Sequence, residues 1–383
     1  MNIRNDNFKH HLKYVGFIST LFSLCLMSCN KANKTYDVKS YRTCINFHDD
    51  FKILQITDTH LGFEVDLNHE MNIVTNYMLE ANPDLVIFTG DNFTYASKGI
   101  VKEFIKRVND TCLYLNNSHP DRLTKFALTY GNHDNQGDFP RYFINHVIKE
   151  YVTTDGKEKE DNKFAAFIDF DDDNVYGLTN YYIDLVDDIS KSNETADVIY
   201  RLHIIDSNTY HFNGVKYQYD LIHDDQLDHV LNVYNNATTD KDYIGMAFFH
   251  IPFEEFQMAK EQYENSSNKE IIGQGTYLED ALYPYKNNDS YQRLKDANII
   301  SFVCGHNHKI NSDVLYNATG SDINEKAILS FGVKATTELY HSKELIGYKI
   351  INLKKDMSKD KFLSIENINN NFINVTDRYS EYD

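Results

Sequence analysis

The sequence FKILQITDTH at residues 51–60 places a run rich in apolar residues directly before two polar ones, Asp58 and His60. A run of this kind predicts a β-strand that is covered on both faces. Such strands belong to α/β sheets, in which ligands bind outside the carboxyl ends of the strands. The segment therefore predicts a buried strand at residues 51–57 that is followed at once by candidate ligand residues.

Four more segments repeat this arrangement. The predicted strands at 85–89, 126–130, 244–249 and 299–304 are followed by Gly90-Asp91-Asn92, Gly131-Asn132-His133-Asp134, His250 and Gly305-His306-Asn307-His308. Helical patterns at residues 67–80 and 99–115 separate the first strands, and this βαβ order implies parallel pairing. The five strand ends are therefore expected to bring carboxylate, amide and imidazole groups to one edge of an α/β fold.

Each segment alone also has a simpler interpretation. Gly131 and Asn132 suit a loop with positive φ, and a lone histidine such as His250 is usually a satisfied core residue. His306 and His308 leave one face of an extended segment, so they can converge on one ion, although paired surface histidines are common. The joint occurrence of all five blocks at strand ends favours a dinuclear metal site.

These blocks resemble the pattern D-x-H, GD, GNH[ED], H and GHxH of the calcineurin-like metallophosphoesterases. The resemblance covers about residues 51–353. It is closer to the Dcr2-like and plant purple-acid-phosphatase-29-like branch, because of residues 57–60 (TDTH), 90–92 (GDN) and 250–252 (HIP). In purple acid phosphatases a tyrosine follows three residues after the aspartate that corresponds to Asp91, and this chain has Thr94 at that position. The resemblance implies a four-layer α/β/β/α sandwich with mixed sheets and a dinuclear metal site at the strand carboxyl ends.

The resemblance also implies a role for each matching side chain. One metal ion would be bound by Asp58, His60 and His308, both ions would share Asp91, and the second would be completed by Asn132, His250 and His306. His133 would act as general acid or transition-state stabiliser, and Asp134 would orient it. Mixed imidazole and oxygen ligation suits two divalent or trivalent ions of Mn, Fe, Zn or Co.

The implied activity is hydrolysis of a phosphoric ester by a hydroxide that two metal ions activate. The first expectation is a phosphomonoesterase that acts on a phosphorylated small molecule or protein. The alternatives are a phosphodiesterase for cyclic nucleotides or other diesters, and a non-catalytic surface lipoprotein that uses the fold for binding. The formal net charge of −19 repels nucleic acid, so no nucleic-acid partner is expected.

The first residues have the pattern of an export signal. Basic residues precede an uncharged stretch at residues 14–28, and residues 26–29 (LMSC) resemble a bacterial lipobox with Cys29 as the lipidated residue. The expected location is the outer face of the cell membrane, with a lipid anchor as the only membrane contact. A plain cleaved signal with secretion, or an uncleaved anchor, remains an alternative.

The rest of the chain is divided on the same basis. We expect a signal peptide at 1–29, a polar tether at 30–48, the catalytic domain at 49–355 and a tail or edge strand at 356–383. Further strands are predicted at 181–186, 198–207, 327–331 and 346–353, and an amphipathic helix at 224–234. The loops at 92–99 and 251–285 are expected to shape the substrate pocket, and their aromatic residues serve either stacking on a base or sugar or packing.

Overall fold

The computed structural model describes residues 42–119, 122–154, 157–158, 164–168, 174–191, 196–236, 242–317, 320 and 322–377. The predicted signal peptide, Cys29 and the tether up to residue 41 lie outside these ranges. Among the helices within them, none has both the length and the apolar character that crossing a membrane requires.

Strands and helices alternate through most of the described chain. The strands are β1 (Arg42–Asn46), β2 (Phe51–Ile56), β3 (Leu85–Thr89), β4 (Lys125–Thr129), β5 (Thr153–Thr154), β6 (Lys157–Glu158), β7 (Asn180–Val186), β8 (Val198–Ile205), β9 (Tyr210–Phe212), β10 (Tyr217–Tyr219), β11 (Ile244–Phe248), β12 (Gly273–Tyr277), β13 (Ile299–Cys304), β14 (Ile310–Tyr316), β15 (Ala327–Phe331), β16 (Gly347–Leu353) and β17 (Phe372–Thr376). The α-helices are α1 (Leu67–Ala81), α2 (Lys98–Ser118), α3 (Arg141–Val152), α4 (Asp224–Asn236), α5 (Glu254–Asn265), α6 (Ser290–Asp296), α7 (Lys359–Phe362) and α8 (Ile365–Asn371).

A five-stranded sheet carries the first three polar blocks. Its order is β17-β16-β2-β3-β4, in which β2, β3 and β4 are parallel and β16 and β17 are added in antiparallel pairing. Every residue of β3 is buried, as a strand covered on both faces requires. The parallel pairing places Asp58, Asp91 and Asn132 after the same ends of neighbouring strands.

An eight-stranded sheet carries the other two blocks. Its order is β1-β7-β8-β11-β13-β15-β14-β12, and the central strands β8, β11, β13 and β15 are parallel. β7 pairs with β8 in antiparallel orientation, which confirms the strand pair predicted at 181–186 and 198–207. His250 follows β11 and His306 follows β13, again at the carboxyl ends.

The core lies between the two sheets and beneath the helices that cover them. One cluster of buried apolar residues joins α1, α2 and α3 to both sheets, and a second joins α4, α5 and α6 to the eight-stranded sheet. Helices and mixed sheets therefore form the α/β sandwich that the resemblance implied. The layers direct the carboxyl ends of β2, β3, β4, β11 and β13 towards one another.

Residues 251–285 differ from the predicted loop. They contain helix α5 and the edge strand β12, which pairs with β14. The sequence GQGTY of β12 includes two glycines, and glycine is depleted in strands. Pairing with a neighbour from elsewhere in the chain therefore decides its conformation, and local propensity could not reveal it.

A buried ion pair connects the two sheets. Lys349 on β16 directs its Nζ to Asp313 Oδ1 on β14 at 2.6 Å and to Ser330 Oγ on β15 at 2.6 Å. The side chains of Lys349 and Asp313 are both fully buried. Each charge depends on the other, because removing one partner leaves a buried charge without compensation.

We predict that Asp313→Ala lowers the free energy of unfolding by about 3–5 kcal/mol, because it leaves the buried Lys349 ammonium without its counter-ion. Urea unfolding of the variant and the parent chain measures this difference. Asp110→Ala is the control, since it removes an exposed partner of Lys106 on α2 and should have a far smaller effect. Equal losses in the two variants would contradict the prediction.

Candidate metal centre

The carboxylates and imidazoles predicted to bind metal ions lie in two groups that share Asp91. The first group contains Asp58, His60, Asp91 and His308, the second contains Asp91, His250 and His306, and the ligand atoms within each group lie within 4.8 Å of one another. All of these side chains are buried. The five-stranded sheet supplies the carboxylates and the eight-stranded sheet supplies three of the four imidazoles.

The backbone turns sharply at four of these residues. Asp58, His60, Asp91 and His306 have φ values of 56°, 48°, 48° and 77°, a region that residues other than glycine rarely adopt. The turns after β2 and β3 hold each other, because the Asp58 N–H donates to the Gly90 carbonyl at 3.1 Å and the His60 N–H donates to the Asp91 carbonyl at 3.0 Å. The strained backbone is therefore supported by a neighbouring loop.

Gly131 is required by close packing at this point. A Cβ atom on this residue would lie 2.3 Å from Asp91 Oδ1 and 2.5 Å from His250 Cδ2. Contacts that short do not occur, so a side chain here would push the two groups away from the loop. The glycine of this block lets backbone from β4 pass against side chains that follow β3 and β11.

Two of the imidazoles are oriented by backbone carbonyl groups. His250 Nδ1 lies 2.9 Å from the Thr89 carbonyl oxygen, and His308 Nδ1 lies 2.7 Å from the Tyr340 carbonyl oxygen. A carbonyl oxygen only accepts, so each Nδ1 carries a proton and donates it. Holding one imidazole nitrogen by a backbone carbonyl is how proteins orient metal-binding histidines.

The other nitrogen of each of these rings faces a carboxylate. His250 Nε2 is 3.0 Å from Asp91 Oδ2, and His308 Nε2 is 3.3 Å from Asp58 Oδ1. If both rings were neutral, the Nε2 atom of each would direct a lone pair at a negatively charged oxygen. Each contact therefore needs a proton or a metal ion, and the mixed nitrogen and oxygen donors fit the transition metals named above.

Burial and nearby charges shift the pKa values of three of these imidazoles. Burial lowers the pKa of His306 to about 3 and holds the pKa of His60 well below its ordinary value. Burial also acts against charge on His250, but the Asp91 carboxylate outweighs it and raises the pKa of His250 to about 9. His60 and His306 are thus neutral at physiological pH and present lone pairs.

Asn132 has a buried amide oxygen and directly precedes His133, whose backbone N–H donates to Asp91. The Oδ1 of Asn132 is buried and has no hydrogen-bond partner within the described ranges, while its Nδ2 donates to the Tyr210 hydroxyl at 2.7 Å. A buried acceptor without a partner is costly. A cation at this oxygen would remove that cost, which fits the predicted role of Asn132 as a ligand.

One local expectation about the last block is wrong. His306 and His308 do not leave one face of an extended segment, because the chain turns at His306 and the Asn307 N–H donates to the Gly305 carbonyl at 3.0 Å. His306 Nδ1 lies 3.3 Å from His250 Nε2, and His308 Nε2 lies 3.0 Å from His60 Nε2. The two histidines therefore belong to different groups.

His133 lies at the edge of the first group. Its ring is only partly buried and stands nearly perpendicular to the ring of His60, with the ring centres 4.9 Å apart. Its backbone N–H donates to Asp91 Oδ1 at 2.7 Å, so the shared carboxylate holds this residue in place. Its Nδ1 has no hydrogen-bond partner among the described residues.

The expected contact between Asp134 and His133 is not observed in the described part of the chain. The buried Asp134 carboxylate accepts hydrogen bonds from the backbone N–H groups of Phe93 and Gly131, each at 2.7 Å. Burial and the charge of Asp91 raise the pKa of Asp134 to about 8, against the effect of these two donors. Asp134 therefore joins the loops after β3 and β4, because a buried carboxylate takes the nearest unpaired donors.

Sequence reasoning missed Lys334 and Thr336 around the first group, and it gave no role to Thr94. The buried Lys334 Nζ donates to the Asp58 carbonyl oxygen at 2.8 Å, and the Thr336 hydroxyl donates to the Thr59 carbonyl oxygen at 2.9 Å. Thr94 Oγ1 lies 2.9 Å from His60 Nδ1. Lys334 and Thr336 follow strand β15, so a search for polar residues after every predicted strand would have found them.

Comparison with known proteins identifies similar sequences. The profile described as calcineurin-like phosphoesterase matches residues 51–310. Phosphatase DCR2 of Saccharomyces cerevisiae is 26% identical over 275 residues, which are 67% of this chain and 44% of the yeast protein. Probable inactive purple acid phosphatase 29 of Arabidopsis thaliana is 24% identical over 266 residues, which are 62% of this chain and 63% of the plant protein.

A third match is shorter. An uncharacterized metallophosphoesterase of Campylobacter jejuni is 36% identical over 88 residues, which are 23% of either chain. The chain thus spans less than two thirds of the length of each of these curated relatives. The matches confirm the resemblance that the five blocks predicted, including its branch.

We predict that Mn²⁺ or Zn²⁺ stabilises the metal-depleted chain by about 2.7 kcal/mol per site at a concentration of about 100 times its dissociation constant. Urea unfolding with and without the ion measures the difference. Asp91→Asn should lose most of the effect, because it removes the charge that both groups share. The prediction would be contradicted if the ion left the free energy of unfolding of the parent chain unchanged, or if it stabilised the Asp91→Asn variant equally.

Proposed function

Because the chain belongs to the calcineurin-like phosphoesterase family, we propose that it is a metal-dependent phosphoric ester hydrolase and, first, a phosphomonoesterase. The observation that carries the proposal is the pair of imidazoles, His250 and His308, whose Nε2 atoms face the carboxylates of Asp91 and Asp58. A site that holds two cations next to each other is suited to a doubly charged phosphate group.

The two groups of side chains would hold two metal ions. Asp58, His60 and His308 would bind one ion, Asn132, His250 and His306 the other, and Asp91 both. When bound, such ions polarise phosphoryl oxygens and lower the pKa of a coordinated water towards about 7. Mn, Fe, Zn and Co all suit these donors.

The protein's own groups would position the ester and supply a proton. His133 is the best placed proton donor, because its backbone is held by Asp91 while its ring lies partly exposed beside His60. An imidazole exchanges protons near neutral pH and can protonate the leaving oxygen. Asp134 would act by keeping the loops of Asp91 and His133 in register, through its bonds to Phe93 and Gly131.

Thr94 occupies the position of the tyrosine that purple acid phosphatases carry, and it contacts a different kind of partner. Thr94 hydrogen-bonds to His60 Nδ1, and the neighbouring Tyr95 side chain is 44% exposed. Thr94 would therefore orient a ligand of the first ion. We propose a centre without the tyrosinate that gives the purple enzymes their colour.

The alternatives to a monoesterase are a phosphodiesterase and a binding protein without catalytic activity, and different experiments distinguish them. The yeast relative is named a phosphatase, which supports the monoesterase, whereas a diesterase would use the same centre with a different ester. The plant relative is named probable inactive, which supports a binding protein as the non-enzymatic alternative. The completeness of the ligand set in this chain favours an enzyme.

We predict metal-dependent hydrolysis of para-nitrophenyl phosphate by the full chain, assayed after separate reconstitution with Mn, Fe, Zn and Co. Asp91→Asn should abolish it, because the ions lose their shared ligand. Faster hydrolysis of the bis(para-nitrophenyl) ester would instead make the chain a diesterase. Absence of turnover with two ions bound would indicate a narrow substrate pocket, and absence of bound metal would favour the binding protein.

We predict that His133→Ala keeps both ions and lowers turnover by about 10²–10⁴-fold, the usual contribution of a general acid. Metal content per chain and turnover number are measured on the same preparation. His146→Ala on α3 is the matched control, since its ring is exposed and pairs with Glu150. Full activity of the His133 variant would remove this residue from the mechanism.

A further inference from the structure

The hairpin formed by β9 and β10 lies against the second group of ligands, although none of the five sequence blocks includes it. The hydroxyl of Tyr210 on β9 accepts a hydrogen bond from Asn132 Nδ2 at 2.7 Å. The ring of Tyr219 on β10 meets the ring of His306 edge-on, with the ring centres 4.4 Å apart. Two residues that would bind the second ion thus touch the same hairpin.

The two tyrosines act as one unit. They are direct partners in the register of the hairpin, and their rings stack at 5.7 Å with an angle of 27°. The contacts of Asn132 and His306 therefore reach the same pair of stacked rings.

The hairpin is held from the outside. The Tyr285 N–H donates to the Tyr219 carbonyl oxygen at 3.1 Å, and the Tyr285 ring stacks on His211 at 4.3 Å. Before β9, the buried Asn208 donates from Nδ2 to the Leu221 carbonyl oxygen at 2.8 Å. These contacts hold the hairpin that carries the Tyr210 hydroxyl. Tyr217, near the tip of the hairpin, is 71% exposed.

The chemistry of an amide explains why Asn132 needs such a partner. Only its oxygen can bind a cation, and its NH₂ group then needs an acceptor in a buried place. The Tyr210 hydroxyl supplies that acceptor, and it would select the amide orientation that leaves Oδ1 available to a cation. Outer partners of this kind typically contribute 10–100-fold to metal affinity or activity.

We propose that Tyr210 is a positioning residue, which holds the Asn132 amide so that its oxygen binds the second metal ion. The proposal rests on the dinuclear centre of the proposed function. It assigns the β9–β10 hairpin to the metal site, and it does not require Tyr210 to touch the substrate.

The test is Tyr210→Phe in the full chain, which removes only the hydroxyl. Titration of the metal-depleted protein with Mn²⁺ alone, followed by calorimetry and by metal content, should show one binding step weakened by about 10–100-fold and the other unchanged. Turnover lost at low Mn²⁺ should return at high Mn²⁺. Tyr217→Phe is the matched control, since it removes an exposed hydroxyl from the same hairpin.

A double-mutant cycle separates positioning from a general structural effect. If Tyr210 acts through Asn132, Tyr210→Phe should weaken Mn²⁺ binding no further in an Asn132→Ala background. Unchanged affinity for both ions in the single variant, or an equal additional loss in that background, would overturn the proposal while leaving the hydrolase intact. A parent chain that binds no second ion would overturn the proposed function as well.

Discussion

The Asp91 carboxylate connects the two halves of the molecule. Its Oδ1 accepts the N–H of His133 from the loop after β4, and its Oδ2 faces His250 from the other sheet at 3.0 Å. A charged group with 1% exposure is tolerated only where it has partners of opposite charge or strong donors. The convergence of five strand ends on this point is what provides them.

The sheets are also tied together immediately behind the centre. The buried Gln55 donates from Nε2 to Thr89 Oγ1 at 2.8 Å and to the Cys304 carbonyl oxygen at 2.9 Å, so one amide joins β2, β3 and β13. Lys334 supports the turn at Asp58 from the other side. These bonds hold the strained turns in place, which is the arrangement expected of a preorganised site.

Most strand-borne features were predictable because they are local. A run of apolar residues such as Leu85–Thr89 is buried on both faces, and the polar residue after it must lie at the sheet edge. The same reasoning failed for β12, whose partner β14 is distant in sequence. It also missed the β9–β10 hairpin, because strands of three residues are too short to show a periodic pattern. The hydrogen-bond partners of Asp134 were not predicted either, because the burial of a carboxylate and its nearest donors are set by packing.

Strand order, glycine positions and polar strand ends are visible in the chain, and they predict that Asp58, Asp91, His250 and His308 come together, because ligands bind outside the carboxyl ends of the strands in α/β folds. How these side chains meet is set by packing. The tertiary structure placed the blocks on two different sheets, divided His306 and His308 between two groups and set Tyr210 against Asn132. The physical reason is that burial, tautomer and hydrogen-bond partner arise from contacts between segments far apart in the chain.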